Sequence, residues 1–215
     1  MISAVRGGRL GHPEKILLEG VTRKLSLVVY LVDEYSNKGI TEDLEVSLKD
    51  LNMGPARTLG GYYIFFDLPD SSYTVQARGG THYFDEAMTD VQLADLDARN
   101  PVVSITLKPT PSYPFPPSST LIRGSLWNPH GRGMPEAEIN VKERDIRTKT
   151  TGNGEFVIYF RDPGKDDVTT IDEKKLLIIN GENPILEITH PDYQKKTESV
   201  VVEEGKITSL SITYP

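Results

Sequence analysis

The stretch Lys108–Gly124 reads KPTPSYPFPPSSTLIRG, and five of the nine residues from Pro109 to Pro117 are proline. Proline fixes φ and removes the amide donor, so this run is excluded from a central strand or a helix and reads as a short, stiff, extended spacer. The sequences on its two sides resemble each other. The stretch is therefore expected to be a joint between two copies of one module, with Tyr113 and Phe115 packed into the crease between them.

Working outward, both flanks carry strand periodicity. Leu25, Leu27, Val29 and Leu31 alternate with more polar positions, followed by Leu44–Leu48, Tyr62–Phe66, Tyr73–Ala77, Thr81–Met88 and Val103–Leu107. Turn clusters such as Asp33–Gly39 and Leu68–Ser72 separate them. After the joint the order repeats: Ile122–Leu126, the turn Asn128–Gly133, Ile139–Val141, and Thr151–Gly154 as a hairpin signal before Glu155–Phe160. An irregular charged insert (Arg161–Lys175) then precedes Leu176–Ile179, Ile185–Ile188, Val200–Val202 and Ile207–Tyr214. No stretch gives a convincing three-turn amphipathic helix; the best candidate, Thr89–Ala98, is short and acid-rich. The expected fold is all-β: two tandem antiparallel β-sandwiches joined by a proline-rich linker. The expected boundaries are an arm over 1–24, a first sandwich over 25–108, the linker over 109–119 and a second sandwich over 120–215.

Composition narrows the function. At 215 residues, with 37% hydrophobic and 26% charged residues, each half can bury a modest core. The net charge of −7 splits as −4 over residues 1–109 and −3 over 110–215, so neither half offers a basic surface to nucleic acid. The chain has no cysteine, hence no disulfide or thiolate chemistry. Its first residues lack an apolar signal core, and its longest apolar run, around Leu27–Val32, is too short to span a bilayer, which leads to a cytoplasmic expectation.

The second half resembles the carboxypeptidase regulatory-like, or transthyretin-like, module. The matching residues are Gly124, Leu126, Gly131, Pro135, Ala137, Ile139, Thr148, Thr150, Gly154, Phe156, Tyr193 and Gly205. Their expected roles are turns needing positive φ for the glycines and filling of the layer between two sheets for the apolar residues. The first half matches more sparsely, through Val32-Asp33, Gly39, Gly61-Tyr62, Leu68-Pro69 and Tyr73-Thr74-Val75. This resemblance implies an Ig-like or transthyretin-like sandwich that braces or binds and does not catalyse. The catalytic relatives of the fold are not matched: the chain ends Ile212-Thr213-Tyr214-Pro215 where a hydroxyisourate hydrolase has Tyr-Arg-Gly-Ser, and no His-x-His pair is present for a dioxygenase iron. The joint together with Gly154–Phe160 is similar to regulatory-like proteins of phage-tail-like contractile injection particles, which implies other protein subunits as partners and a place within a particle.

His12, His82, His130 and His190 have no metal-ligand spacing, and no nucleophile elbow, zincin motif or phosphate loop occurs. The acids Asp162, Asp166, Asp167 and Asp172, or Asp90, Asp95 and Asp97, read as solvated loops and not calcium sites. No catalytic residue, cofactor, metal or small-molecule substrate is expected. Trp127 falls out of phase with Ile122 and Leu126 and turns outward, either under a loop or on a contact surface. Tyr62, Tyr83 and Phe84 are either packing residues or a platform for a sugar, the latter belonging to an alternative in which the protein binds carbohydrate or a cell surface. The arm over 1–24 carries five bases, including Arg6 and Arg9, against two acids. It is either a frayed end or an interaction segment that docks on a neighbouring protein, with Ile16, Leu17 and Leu18 supplying apolar contact.

Overall fold

The computed structural model describes residues 23–49, 51, 53–142, 144–161, 163–164 and 167–214. Among them the chain is all-β, with a short 3-10 turn over Leu93–Asp95. Two sets of ladders form. In the first, β1 (Leu25–Asp33) is flanked by β5 (Tyr62–Phe66) and β2 (Lys38–Gly39) on one edge and by β8 (Val102–Leu107) on the other, with β4 (Ala56–Arg57) beyond β5. A second sheet of β3 (Glu45–Leu48), β6 (Ser72–Arg78) and β7 (Glu86–Gln92) faces it. Between the two lies a cluster of buried side chains running from Leu27 to Leu107.

The second set repeats the plan. A sheet of β12 (Glu155–Phe160), β9 (Thr120–Trp127) and β17 (Ile207–Thr213) packs on one of β10 (Glu138–Val141), β11 (Ile146–Lys149), β15 (Ile185–His190) and β16 (Tyr193–Ser199). Its cluster runs from Ile122 to Tyr214. The pairing is antiparallel except at one place in each set, where the first strand pairs in parallel with the last: β1 with β8 and β9 with β17. The expected antiparallel pairing thus dominates; alternation alone carries no information on direction and gave no sign of the two parallel pairs.

Several local expectations are corrected. Leu25 does not join the core and is 40% exposed, because a bulge between Leu25 and Leu27 inserts Ser26 and turns Leu25 onto the outer face beside Phe66. Ser26 earns its burial there: its Oγ accepts from Leu68 N at 3.0 Å. The strand expected from Thr81 begins only at Glu86, since Asp85 bonds back to Gly79 N and holds 81–85 as a loop. Thr89–Ala98, where no convincing helix was expected, holds the end of β7 followed by the 3-10 turn Leu93–Asp95, with Val91 buried by strand alternation. Within Arg161–Lys175 the structure forms a hairpin of β13 (Val168–Ile171) and β14 (Lys174–Leu177), closed by Asp172 and Glu173 at φ 48° and 65°. The Thr151–Gly154 turn does not join paired strands, because β11 belongs to one sheet and β12 to the other.

Gly124 is also reassigned. It sits in mid-strand, not in a turn, and a Cβ there would lie 2.2 Å from Phe156 Cζ and 3.0 Å from Leu210 O. The missing side chain is what lets the buried Phe156 ring lie against β9. Gly124→Val should therefore cost about 1–3 kcal/mol by overpacking in a denaturant titration, whereas Gly152→Ala, with open space around it, should cost far less.

Candidate functional site: the aromatic seam

The site grows from Asp33, the last residue of β1, which is only 5% exposed. Its Oδ1 accepts from the amides of Tyr35 (2.7 Å) and Ser36 (3.2 Å), which closes the turn after the strand. Its Oδ2 accepts from two phenols that arrive on distant segments: Tyr83 from the 81–85 loop at 3.3 Å, and Tyr113 from the proline-rich stretch. Four donors on one carboxylate compensate the charge for leaving water.

Around this anchor the aromatic rings meet edge to face. Tyr35 lies 4.9 Å from Phe115, 5.3 Å from Tyr159 and 5.8 Å from Tyr113; Tyr113 lies 4.6 Å from Phe115 and 5.6 Å from Tyr83. The Tyr35 hydroxyl shares a 2.8 Å hydrogen bond with Ser119 Oγ. From β9, Arg123 donates Nη2 to Tyr113 O at 3.2 Å and sets its guanidinium 5.8 Å from the Phe115 centroid, while its buried Nε has no hydrogen-bond partner among the described residues. The backbone of the stretch is fixed as well: Thr110 donates its amide to His82 O (2.8 Å) and its hydroxyl to Thr81 O (2.7 Å), and Tyr113, Phe115 and Ser119 donate within the stretch.

Strand β12 (EFVIYF) explains how the second set of strands receives this cover. Val157 lies opposite Arg123, and Leu121 opposite Tyr159, so these four share the face turned away from their own core. Leu121 and Val157 are nonetheless 0% and 1% exposed. That face is the one on which Tyr35, Tyr113 and Phe115 lie. Beside it, a polar cleft of about 280 Å³ is lined by Phe84, Glu86 and Lys108 on one side and Glu136, Arg147 and Lys149 on the other. Lys149 Nζ stands 5.5 Å from the Phe84 ring and 3.8 Å from Glu136. Burial pushes the Glu86 carboxyl up, against the opposing pull of Lys108 and Lys149.

The structure places Tyr113 and Phe115 in the seam. Trp127 is half-buried at the end of β9, where its carbonyl accepts from Tyr214 N and its backbone bridges Gly133. Arg6, Arg9, Ile16, Leu17 and Leu18 lie outside the described residues, as do His12, Asp162 and Asp166. Tyr83 is buried and cannot belong to an exposed platform, whereas Tyr62 stacks on Tyr30 at 4.8 Å. His82 pairs with Glu42 at 3.3 Å and His190 packs on Tyr193. Among the described residues no three His, Asp or Glu side chains are grouped to hold a metal ion, and no helix is long and apolar enough to cross a membrane. Sequence reasoning missed Asp33, Tyr35, Tyr159, Leu121 and Val157. The apolar residues out of phase at 121 and 157 were the available signal.

The sequence matches no family model and no curated protein. Solved structures give remote likenesses: the Bacillus anthracis TIE protein (12% identity, TM-score 0.30, 88% of this chain and 33% of that one), a 9R-lipoxygenase from Cyanothece PCC8801 (17%, 0.27, 47% and 17%), and GBS52, the minor pilin of Streptococcus agalactiae (14%, 0.25, 87% and 95%). The chain thus spans a third or less of the first two proteins. Likenesses at this level assign it no function.

Burial, followed by the Asp33 carboxylate, raises the phenols of Tyr83 and Tyr113 well above their usual 10.0, and burial does the same for Tyr159. A raised folded-state pKa means that the stability gained from the protonated phenol is intact below pH 10 and is lost as pH rises further. These three phenols should be missing from the ultraviolet titration step near pH 10 and should ionise only as the protein unfolds. Asp33→Ala, which strands two hydroxyls and two amides, should cost about 2–3 kcal/mol, against about 1 for Tyr83→Phe.

Proposed function

We propose that the protein is a non-catalytic structural or adaptor protein, built of a module over 25–108 and another over 120–215 held at a fixed angle by the joint over 109–119. The observation that carries this reading is the Asp33 carboxylate joining β1, the 81–85 loop and Tyr113 in one hydrogen-bonded unit under a cluster of aromatic rings. A hinge made for motion would leave such groups in water. Fixed geometry between two sandwiches serves a part that sets distances and angles among other protein subunits.

The finer assignment rests on the sequence. The carboxypeptidase regulatory-like resemblance supports a bracing module, and the similarity around the joint favours a phage-tail-like contractile injection particle assembled in the cytoplasm. A second reading, binding of carbohydrate or a cell surface, is favoured by one observation: Tyr62, 39% exposed, stacks on Tyr30 on the outer face of the first sheet, next to Ile64 and Phe66. Titration with simple glycans followed by tyrosine fluorescence separates the two, since the structural reading expects no response.

Small-angle scattering of the free protein should fit one inter-module angle, and replacing Pro109–Pro117 by a Gly/Ser linker of equal length should broaden the distribution. An equally broad wild type would overturn the rigid-spacer reading.

A further inference from the structure

Strand β17 closes the sheet β12–β9–β17, and among the described residues its second edge has no strand beside it. Two bonds identify which of its backbone groups are used: Leu121 N donates to Lys206 O at 3.2 Å, and Tyr214 N donates to Trp127 O at 2.9 Å. Alternate residues of a strand serve the same neighbour in a parallel ladder. Residues 206, 208, 210, 212 and 214 therefore bond β9, and the backbone groups of Ile207, Ser209, Ser211 and Thr213 point to the other edge. There only Thr213 O has a partner among the described residues, the Nζ of Lys196 at 3.2 Å.

Other outer strands guard their edges with charge: Lys195, Lys196 and Glu198 in β16, Arg147 and Lys149 in β11, Glu86 and Asp90 in β7. The counterpart of β17 in the first set, β8, is uncharged, but β7 lies near it and Phe84 N donates to Lys108 O at 2.9 Å just beyond its end. The run Ile207–Tyr214 (ITSLSITY) has neither charge nor proline. Next to it opens a groove of about 870 Å³ lined by Tyr193, Lys195, Lys196, Thr213 and Tyr214. The Tyr193 and Tyr214 rings pack 5.2 Å apart, and the hydroxyl of Tyr214, a residue only 4% exposed, has no hydrogen-bond partner among the described residues.

We propose that this edge receives residues 14–21 (EKILLEGV) of another copy of the chain as an added strand, in a head-to-tail contact. In an extended segment Ile16 and Leu18 fall on one side, where they supply apolar groups to the Tyr193–Tyr214 groove. Glu14 falls on the same side of the segment as Ile16 and Leu18, so this acid faces the groove that Lys195 and Lys196 line beside Asp192, whereas Glu19 falls on the opposite side. Twenty-two residues precede Arg23, enough at about 3.3 Å each to span to a neighbouring molecule. Donor and acceptor are different surfaces of one chain, so the contact is heterologous and copies join head to tail, in an open series or a ring. The inference rests on the reading of the protein as an assembly subunit and names one partner, the chain itself.

Sedimentation velocity of the full chain tests it. The wild type should form a concentration-dependent series extending past the dimer. Ser211→Pro removes an amide that points to the free edge and leaves the bonds to β9, so it should fold, as checked by circular dichroism, and sediment only as a monomer. Leu18→Asp should lose all species above the monomer as well. An equimolar mixture of the two variants, holding one intact edge and one intact segment, should give dimers and nothing longer. Should Ser211→Pro fail to fold, Ser209→Lys, which sets a charge on the same edge, replaces it in every arm. The proposal is overturned by a wild type that stays monomeric, by Leu18→Asp that still associates, or by a mixture that stays monomeric. Each of those results leaves the rigid spacer standing, because that reading is decided by scattering.

Discussion

The buried Asp33 carboxylate is the constraint on which the rest of the arrangement depends. A carboxylate taken out of water needs donors on its lone pairs, and this one draws them from its own turn, from a loop between β6 and β7, and from the proline-rich stretch. Because the donors come from segments far apart in sequence, satisfying one side chain fixes three pieces of backbone together. The proline residues then matter less as rigid rods than as positions that demand no amide partner, which lets the stretch lie against both sheets with few donors left to place. Rings from Tyr35, Phe115 and Tyr159 exclude water from the same spot and strengthen the polar contacts beneath them.

Burial on both faces follows from this arrangement. An outer sheet in a sandwich ordinarily turns polar side chains to solvent, yet β12 is apolar on both sides, as is the centre of β1. In β12 the second apolar face belongs to the seam. In β1 it belongs to a group of Val28, Tyr30, Tyr62 and Ile64 that lies on the outside of the first sheet. The two sets of strands share one plan and spend their outer faces differently.

Much of the architecture was legible in the sequence because it rests on local rules. Alternation marked most strands, and the aromatics at 113 and 115 marked residues that needed cover. The illegible part is non-local. Asp33 looks like any turn residue until the phenols of Tyr83 and Tyr113 are brought to it, and no spacing announces that meeting. The Ser26 bulge, which turned Leu25 outward, breaks alternation by a single residue and leaves no compositional trace. Asp172-Glu173 lacks the glycine that usually announces a tight hairpin, so a paired hairpin read as irregular chain. Gly124 carried the opposite error: a glycine in a recognised pattern suggested a turn, whereas the Phe156 ring had taken the place of its side chain.

The parallel pairing of first and last strands in each set bears on how the molecule carries force. Because β1 and β8 run the same way, the chain enters that sheet at one end and leaves it at the other, and β9 and β17 repeat the arrangement. Tension between Leu25 and Leu107, or between Thr120 and Thr213, acts along the strands. The inter-strand hydrogen bonds are then loaded in shear and must yield together, whereas a hairpin pulled at its open end unzips one bond at a time. Strung end to end, such units would behave as stiff tension members whose weakest direction is across the strands.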